Sequence, residues 1–272
     1  MTIKPRALVI TGNGINCERE SAHACRLAGM EADIAHMSAI FAGEVRLRDY
    51  NFIHLPGGFL DGDDLGSAKA GAVRFKYGAV KENSGTARFE DELLDFVSRG
   101  GLVLGVCNGF QLMVKLGLLP FTGGKLVQEV SLMHNDSGRF EDRWVRMKAD
   151  PKSPCVFTKG IDTLYFPVRH GEGKFVPGGD EAKKKIVDNS LAVLRYIDSE
   201  GNATGEYPFN PNGSFDAIAG ICDPTGRLFG LMPHPEAFVH RTQHPRWTRE
   251  ELPEEGQGLK LYRNAAEYIR NS

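Results

Sequence analysis

The sequence predicts an α/β fold, an open and mostly parallel sheet that is covered by helices on both faces and carries an antiparallel extension. Three observations predict it. The first half alternates short apolar runs with amphipathic segments that end near glycine. One run, LVLGVC (102–107), is apolar throughout, as expected for a parallel strand buried on both faces. The second half carries strand-like runs separated by Gly, Pro and Asn turn signals, which favours antiparallel pairing.

The individual elements follow in order along the chain. Four strands of the parallel part are predicted in RALVIT (6–11), EADIAHM (31–37), YNFIHL (50–55) and LVLGVC. Helices are predicted between them, in ERESAHACRLAGM (18–30), TARFEDELLDFVSRGG (86–101) and GFQLMVKLGLL (109–119). We expect a strand pair in 131–150, antiparallel strands in 192–238, a polar loop in 244–258 and a closing helix in 258–272. No linker or repeat interrupts this series, so we expect one domain over 1–272.

The composition excludes several classes of function. The 272 residues are 41% hydrophobic and 25% charged, with a formal net charge of −2, so no global basic field favours nucleic acid or a membrane surface. The five cysteines are scattered and odd in number, which argues against a disulfide framework or a zinc knuckle. No signal-peptide pattern opens the sequence, and we expect a cytoplasmic protein without a metal site.

A cysteine lies at the sharpest predicted corner of the chain. Gly105-Val106-Cys107-Asn108-Gly109 has the G-x-nucleophile-x-G form, in which a strained strand-to-helix turn exposes the nucleophile above the sheet. The N-terminus of the following helix lowers a thiol pKa, and its first amide, Asn108 N–H, is placed to stabilise an oxyanion. A buried structural cysteine between packing glycines is the alternative interpretation of this motif alone.

Two further segments supply the groups that a nucleophilic cysteine needs. The prolines of Pro233-His234-Pro235-Glu236 restrict the backbone around His234, and Glu236 is placed to orient its imidazole. A base oriented by a third group is the general triad pattern. In HLPGGFLDGDD (54–64), a strand ends at a Pro-Gly-Gly turn whose backbone amides can approach a ligand closely and provide a second oxyanion donor.

These motifs, in this order, resemble those of the class I glutamine amidotransferases, which have a flavodoxin-like fold. The segments FPVRHGEGKF (166–175) and NPNGSFDAIAG (210–220) narrow the resemblance to the glutaminase subunits of phosphoribosylformylglycinamidine synthase. That enzyme converts formylglycinamide ribonucleotide to the amidine in de novo purine synthesis. The resemblance extends from about Val9 to Phe238.

The resemblance implies a role for each matching residue. Cys107 would attack glutamine to form a γ-glutamyl thioester, with His234 as base and Glu236 orienting it. The oxyanion hole would be formed by the Gly58 and Asn108 amides. Gln111, Gly171 and Glu172 would bind the glutamine. His170 is a candidate second base, for which a structural or partner-facing role is the favoured interpretation.

The resemblance also implies partners. Ammonia would pass to a large ATP-dependent synthetase subunit (PurL-like), and a small bridging subunit (PurS-like) often completes the complex. This chain has no G-x-x-x-x-G-K-[ST] motif, so ATP and Mg²⁺ are expected on the synthetase and no cofactor on this chain. The pair Gly12 and Gly14 is interpreted as a tight turn.

Four segments depart from the family pattern. The opening, ITGNGINCE (10–18), retains only Asn16-Cys17 and an acid from the family's usual F-P-G-x-N-C-D. The segment after PGGF (59–72) lacks the aromatic residue and the arginine that usually follow, and segments 177–189 and 244–258 are long. Alternative interpretations are another amidotransferase subunit, a free-standing γ-glutamyl hydrolase or cysteine peptidase of similar fold, and a degenerate glutaminase kept as a scaffold. The intact set Cys107, His234 and Glu236 argues against the last of these.

Overall fold

The computed structural model of the chain describes residues 3–82 and 85–272. The strands in these ranges are β1 (Arg6–Thr11), β2 (Glu31–His36), β3 (Phe52–Leu55), β4 (Ala79–Glu82), β5 (Gly85–Arg88), β6 (Leu102–Val106), β7 (Val130–Met133), β8 (Glu141–Ala149), β9 (Thr163–His170), β10 (Lys174–Pro177), β11 (Ala192–Tyr196), β12 (Ile218–Cys222) and β13 (Leu228–Leu231). The α-helices are α1 (Glu18–Leu27), α2 (Met37–Phe41), α3 (Lys69–Tyr77), α4 (Phe89–Ser98), α5 (Asn108–Leu116), α6 (Asp180–Asp188) and α7 (Leu259–Arg270).

The main sheet has nine strands in the order β2-β1-β3-β6-β13-β12-β11-β8-β9. The five strands from β2 to β13 are parallel, and each later neighbour pairs antiparallel. Helices α1 and α7 pack together on one side, and α3, α4 and α5 form a second group around β6 and β13. The predicted fold class is confirmed, with an antiparallel extension of four strands.

The three motifs of the candidate site follow three adjacent parallel strands. β3 leads into the Pro-Gly-Gly turn, β6 into Cys107, and β13 into the Pro-His-Pro-Glu segment. β6 lies between the other two, and all five of its residues are buried. Because the carboxyl ends of parallel strands meet at one edge, the topology brings the motifs together where open α/β sheets bind ligands.

Two predicted pairings are wrong. β13, expected among the antiparallel strands of 192–238, pairs antiparallel with β12 but parallel with β6. Residues 131–150 do contain two strands, but β7 and β8 do not pair with each other. β7 pairs with β10, and β8 pairs with β9 and β11. The connection between them is bonded to the end of β9 instead, because Asn135 Nδ2 donates to the carbonyls of Arg139 and His170, at 2.8 Å each. A second hairpin, β4–β5, and helices α2, α3 and α6 were not predicted from sequence.

The segments that depart from the family pattern take defined forms. Residues 59–72 form a short 3-10 turn and the start of α3, and 177–189 contains α6, whose buried residues are Ala182 and Ile186. Residues 244–258 form no α-helix or β-strand, as the polar loop prediction requires. Within the described ranges, every helix falls short of the length and apolar character that a membrane crossing requires.

Candidate active site

Cys107 occupies the strained elbow that the sequence predicts. It lies between the end of β6 and the start of α5, with φ 51° and ψ −106°. A non-glycine residue at positive φ is uncommon and costs about 1–3 kcal/mol, so the surrounding structure must enforce it. The close approach of α5 to β3 explains Gly109, since a Cβ there would lie 1.8 Å from the Leu55 carbonyl oxygen. The elbow is thus dictated by local packing, and Cys107 N–H is fixed by a 2.9 Å bond to Leu231 O.

His234 and Glu236 form a buried hydrogen-bonded pair. Nδ1 of His234 lies 2.5 Å from Oε1 of Glu236, and both side chains are 1% exposed. Burial lowers the pKa of His234, but the adjacent Glu236 charge and the Cys107 and Cys17 sulfurs, which can accept from the imidazolium, outweigh it, so the pKa is raised well above its usual value. Burial likewise raises the pKa of Glu236, and the His234 charge reverses this, so that pKa is lowered. Both directions favour imidazolium beside carboxylate.

The elbow and the pair meet at Gly57. A Cβ built on Gly57 would lie 2.7 Å from His234 Cε1, 3.4 Å from Cys107 Cβ and 3.4 Å from Cys17 Sγ. Only glycine leaves room for the imidazole to stand beside the elbow. The structure therefore brings together the predicted residues Cys107, His234 and Glu236.

Cys17 is a residue of this site that the sequence reasoning did not assign. It is 6% exposed, its Sγ donates to Asn16 Oδ1 at 3.2 Å, and its thiol lies within hydrogen-bonding reach of the His234 ring. Burial raises its pKa. In the described ranges, one group of three potential metal ligands lies within 4.8 Å, and it consists of Cys17, His234 and Glu236. The available signal was that Asn16-Cys17 is the retained part of the family's opening motif.

Two backbone amides lie beside the elbow. Asn108 is the first residue of α5, and the first N–H groups of a helix have no intrahelical acceptor. Gly58 has φ +147°, and a Cβ there would lie 2.6 Å from Ile15 Cα, so the position requires glycine. No acceptor for Gly58 N–H lies in the described part of the chain, whereas the flanking Gly57 O and Phe59 N are both bonded to the loop 14–17.

The polar side chains of Asn108 and Gln111 hold the walls of the site. Asn108 Oδ1 accepts from Leu60 N at 2.9 Å, and its Nδ2 donates to Asp63 Oδ1 at 3.0 Å and to Gln111 Oε1 at 2.9 Å. Gln111 Nε2 in turn donates to the Glu172 carbonyl at 2.6 Å. Gln111 thus contacts the segment predicted to bind glutamine, and both ends of its amide are bonded within the protein.

The segment Gly171–Glu172 is fixed but open on one side. Gly171 O accepts from Asn135 N at 2.9 Å, while a Cβ on Gly171 would meet no atom within 4 Å. Glu172 Oε2 accepts from Ser67 Oγ at 2.7 Å, and Lys115 Nζ lies 3.0 Å from the same hydroxyl. The segment therefore presents its backbone toward open space beside the elbow.

His170 has the properties of a structural residue. It is 2% exposed, its Nδ1 lies 3.1 Å from Asn135 Oδ1, and burial lowers its pKa to about 3. A pKa this far below neutral pH makes the imidazole a weak base, poorly matched to proton transfer near neutral pH. A second buried imidazole, His54, has its Nε2 3.0 Å from Tyr262 Oη, and burial lowers its pKa to about 4.

Comparison with known proteins places this geometry in a family. Residues 4–269 match the family described as the CobB/CobQ-like glutamine amidotransferase domain. The chain is 42% identical over 269 residues to the phosphoribosylformylglycinamidine synthase subunit PurQ of Dehalococcoides mccartyi, covering 98% of both chains. It is 41% identical to the protein of the same name from Methanococcus maripaludis, again covering 98% of each.

A solved structure extends the likeness to three dimensions. The structure of PurLQS from Thermotoga maritima contains a chain that superposes with a TM-score of 0.70 at 28% identity. The superposition covers 98% of this chain and all of that one. The chain belongs to the PurQ family of glutamine amidotransferases, the glutaminase subunits of phosphoribosylformylglycinamidine synthase.

Proposed function

We propose that this chain releases ammonia from glutamine through a triad of Cys107, His234 and Glu236. The observation that carries the proposal is the buried 2.5 Å bond between His234 and Glu236, with the imidazole and the Cys107 Cβ both against the Gly57 position. The raised pKa of His234 favours an imidazolium that can stand beside a thiolate. The elbow holds that thiolate at the edge of the sheet.

The triad then acts in two half-reactions. The Cys107 thiolate attacks the amide carbon of glutamine, the carbonyl oxygen takes the negative charge, and the His234 imidazolium protonates the departing nitrogen. Ammonia leaves and a γ-glutamyl thioester remains on Cys107. The neutral His234 next takes a proton from water, whose oxygen attacks the thioester, and glutamate leaves as the thiolate is restored. Glu236 keeps Nδ1 protonated throughout, so that Nε2 carries each transferred proton.

The oxyanion of each tetrahedral intermediate is proposed to lie between Gly58 N–H and Asn108 N–H. Support comes from the free Gly58 amide and from the position of Asn108 at the N-terminus of α5. Losing one such donor costs about 2.7–4 kcal/mol of transition-state stabilisation.

We propose that the amino-acid head of glutamine binds the open backbone of Gly171 and Glu172. Gln111 holds the Glu172 carbonyl at 2.6 Å, so its contribution to binding is to fix this segment against α5. Gln111→Ala should therefore raise KM for glutamine more than it lowers kcat.

The ammonia is proposed to pass to a PurL-like synthetase subunit, which supplies ATP and Mg²⁺, with a PurS-like subunit bridging the two. Support comes from the likeness to a chain in the structure of PurLQS from Thermotoga maritima. We further propose that residues 1–272 form one glutaminase domain, since a single apolar core runs through the described chain and the family match spans 4–269. The cysteine usage fits the cytoplasm.

The test is mass mapping of a glutamine-like electrophile on the purified chain, with and without excess glutamine. We expect one adduct, on Cys107, that glutamine suppresses and that Cys107→Ser abolishes. Cys25→Ser is the matched control, because Cys25 is fully buried away from this base and burial raises its pKa. Labelling that is spread over the five cysteines, or insensitive to glutamine, would contradict the triad. Repeating the experiment with the synthetase subunit bound separates an absent site from one that assembles only in the complex.

A further inference from the structure

We propose that Cys17 is a resolving thiol, which forms a reversible disulfide with Cys107 when a peroxide enters the site. The mechanism proposed above uses one cysteine, Cys107, yet this site also holds Cys17. The inference rests on Cys107 being the activated thiol of the proposed function, and it adds a modification site to it.

Geometry places the two thiols around one imidazole. The position that a Gly57 Cβ would occupy lies 3.4 Å from Cys107 Cβ and 3.4 Å from Cys17 Sγ. Both thiols lie within hydrogen-bonding reach of His234, whose Nε2 is buried without a well-aligned partner. In the structure each thiol donates elsewhere, Cys107 to Arg169 O at 3.5 Å and Cys17 to Asn16 Oδ1 at 3.2 Å. Each can therefore turn toward the other by rotation about its Cα–Cβ bond.

The backbones on both sides are anchored close to the same turn. Cys17 N donates to Gly57 O at 3.3 Å, and Cys107 follows β6, the strand next to β3, from which the Gly57 turn emerges. A disulfide needs Cα atoms about 4.4–6.8 Å apart, so the proposal requires Cys17 and Cys107 to reach that separation across the Gly57 turn.

The chemistry balances with hydrogen peroxide as the oxidant. The Cys107 thiolate attacks a peroxide oxygen, the O–O bond breaks, and Cys107 sulfenic acid and hydroxide form. The His234 imidazolium protonates that hydroxide to water and becomes neutral. Neutral His234 then accepts the Cys17 proton, the Cys17 sulfur attacks the sulfenic sulfur, and the S–O bond breaks to release hydroxide, which takes the proton back from His234 as a second water. Two thiols and one peroxide thus become one disulfide and two waters. A dithiol reductant reverses the change by exchange.

A second thiol pair in the same chain lacks these features. Cys155 and Cys222 are also close enough to interact, but Cys222 lies beside Ser153 Oγ at 3.6 Å, not beside an imidazole. The interaction with Cys155 and burial raise the pKa of Cys222. All four cysteines are buried, so exposure does not distinguish the two pairs. Proximity alone therefore predicts two disulfides, whereas proximity to the His234 imidazole predicts one.

The experiment is peroxide treatment of the purified chain, followed by blocking of free thiols and non-reducing peptide mapping. We expect a Cys17–Cys107 cross-link and loss of electrophile labelling at Cys107. Dithiothreitol should remove the cross-link and restore the labelling. In Cys17→Ser, Cys107 should pass to sulfinic and sulfonic acid, and the labelling recovered by reductant should be about tenfold lower than in the wild type. Cys155→Ser should behave as the wild type does.

Three outcomes would overturn the proposal: a Cys155–Cys222 cross-link in preference, Cys107 sulfinic acid in the wild type as fast as in Cys17→Ser, or mixed cross-links among all thiols. Electrophile labelling before oxidation keeps the two proposals apart. If glutamine-sensitive labelling of Cys107 is present and the cross-link is not, only the resolving role of Cys17 fails. If that labelling is absent both from the isolated chain and from the chain with the synthetase subunit bound, the triad itself fails.

Discussion

The sharpest test of the site is the addition of one methyl group at Gly57. The Cβ of Gly57→Ala would lie 2.7 Å from His234 Cε1, a separation that real Cβ atoms essentially never show. The ring must retreat by about 0.7 Å to restore an ordinary contact of 3.4 Å. It cannot do so freely, because Nδ1 is held 2.5 Å from Glu236 in a buried pair. Its Nε2 therefore moves away from Cys107.

The expected loss follows from that displacement. A misplacement of about 1 Å costs about 100-fold in rate, so we expect Gly57→Ala to slow Cys107 labelling and glutamine hydrolysis by about 10- to 100-fold, or about 1.4–2.7 kcal/mol. The φ of Gly57 is not in the left-handed region, so alanine brings no backbone strain and lowers the entropy of the unfolded chain. Thermal stability should therefore change far less than the rate.

The assay is the rate of Cys107 labelling by a glutamine-like electrophile, with the melting temperature measured on the same sample. Gly123→Ala is the matched control, since a Cβ there meets nothing within 4 Å and its φ is also ordinary. The double variant Gly57→Ala/Glu236→Gln should be no slower than the slower single variant, because both changes act through His234. Wild-type labelling by a folded Gly57→Ala chain, or strictly additive losses, would refute the reasoning.

Three further outcomes are expected. Glu236→Gln removes the charge that raises the pKa of His234 against the effect of burial. Cys107 labelling should therefore slow by about 100-fold or more, and the alkaline limb of its pH–rate profile should move to lower pH. An alkaline limb at the wild-type pH would contradict this. Asn108→Ala removes three side-chain hydrogen bonds and should lower the free energy of unfolding in urea by about 1–3 kcal/mol, with no change expected if these bonds contribute nothing. Burial lowers the pKa of His54 from 6.5 to about 4, so its neutral form contributes stability that is complete above pH 6.5 and is lost as the pH falls toward 4. His54→Gln should make the free energy of unfolding fall less steeply between pH 6.5 and about 4, measured by urea titration at each pH. A decline as steep as that of the wild type would mean that other groups cause it.

The parts of the site that sequence could predict are those specified by residues close together in the chain. The elbow needs Gly105 and Gly109 around Cys107, and the structure shows why, since α5 packs directly on β3. The His234–Glu236 bond spans two residues and is restrained by prolines. The central strands β3 and β6 were also predictable from sequence, because each is a short, mostly apolar and fully buried run that leads into a segment containing glycine.

The parts that sequence could not predict depend on long-range packing. The partner of β7 is β10, more than forty residues later, and no local pattern distinguishes it from the nearer β8. Cys17 lies beside His234 only because the loop before α1 folds onto the Gly57 turn. Such contacts are set by which surfaces meet in the folded chain, and hydrophobic periodicity carries no information on them.

Segment 59–72 departs from the family pattern and still supports the site. Its contacts with the site use groups other than the missing aromatic residue and arginine. The backbone amide of Leu60 donates to Asn108, and the carboxylate of Asp63 accepts from the same side chain. The hydroxyl of Ser67 donates to Glu172. A backbone amide is available whatever side chain stands at position 60, so the constraint on this loop falls on Asp63 and Ser67. Leu60, Ala68 and Ala72 are also buried and constrained by packing, so the positions left open to change are the exposed ones, such as Phe59 and Leu65, while the elbow and the Gly171–Glu172 segment keep the same support.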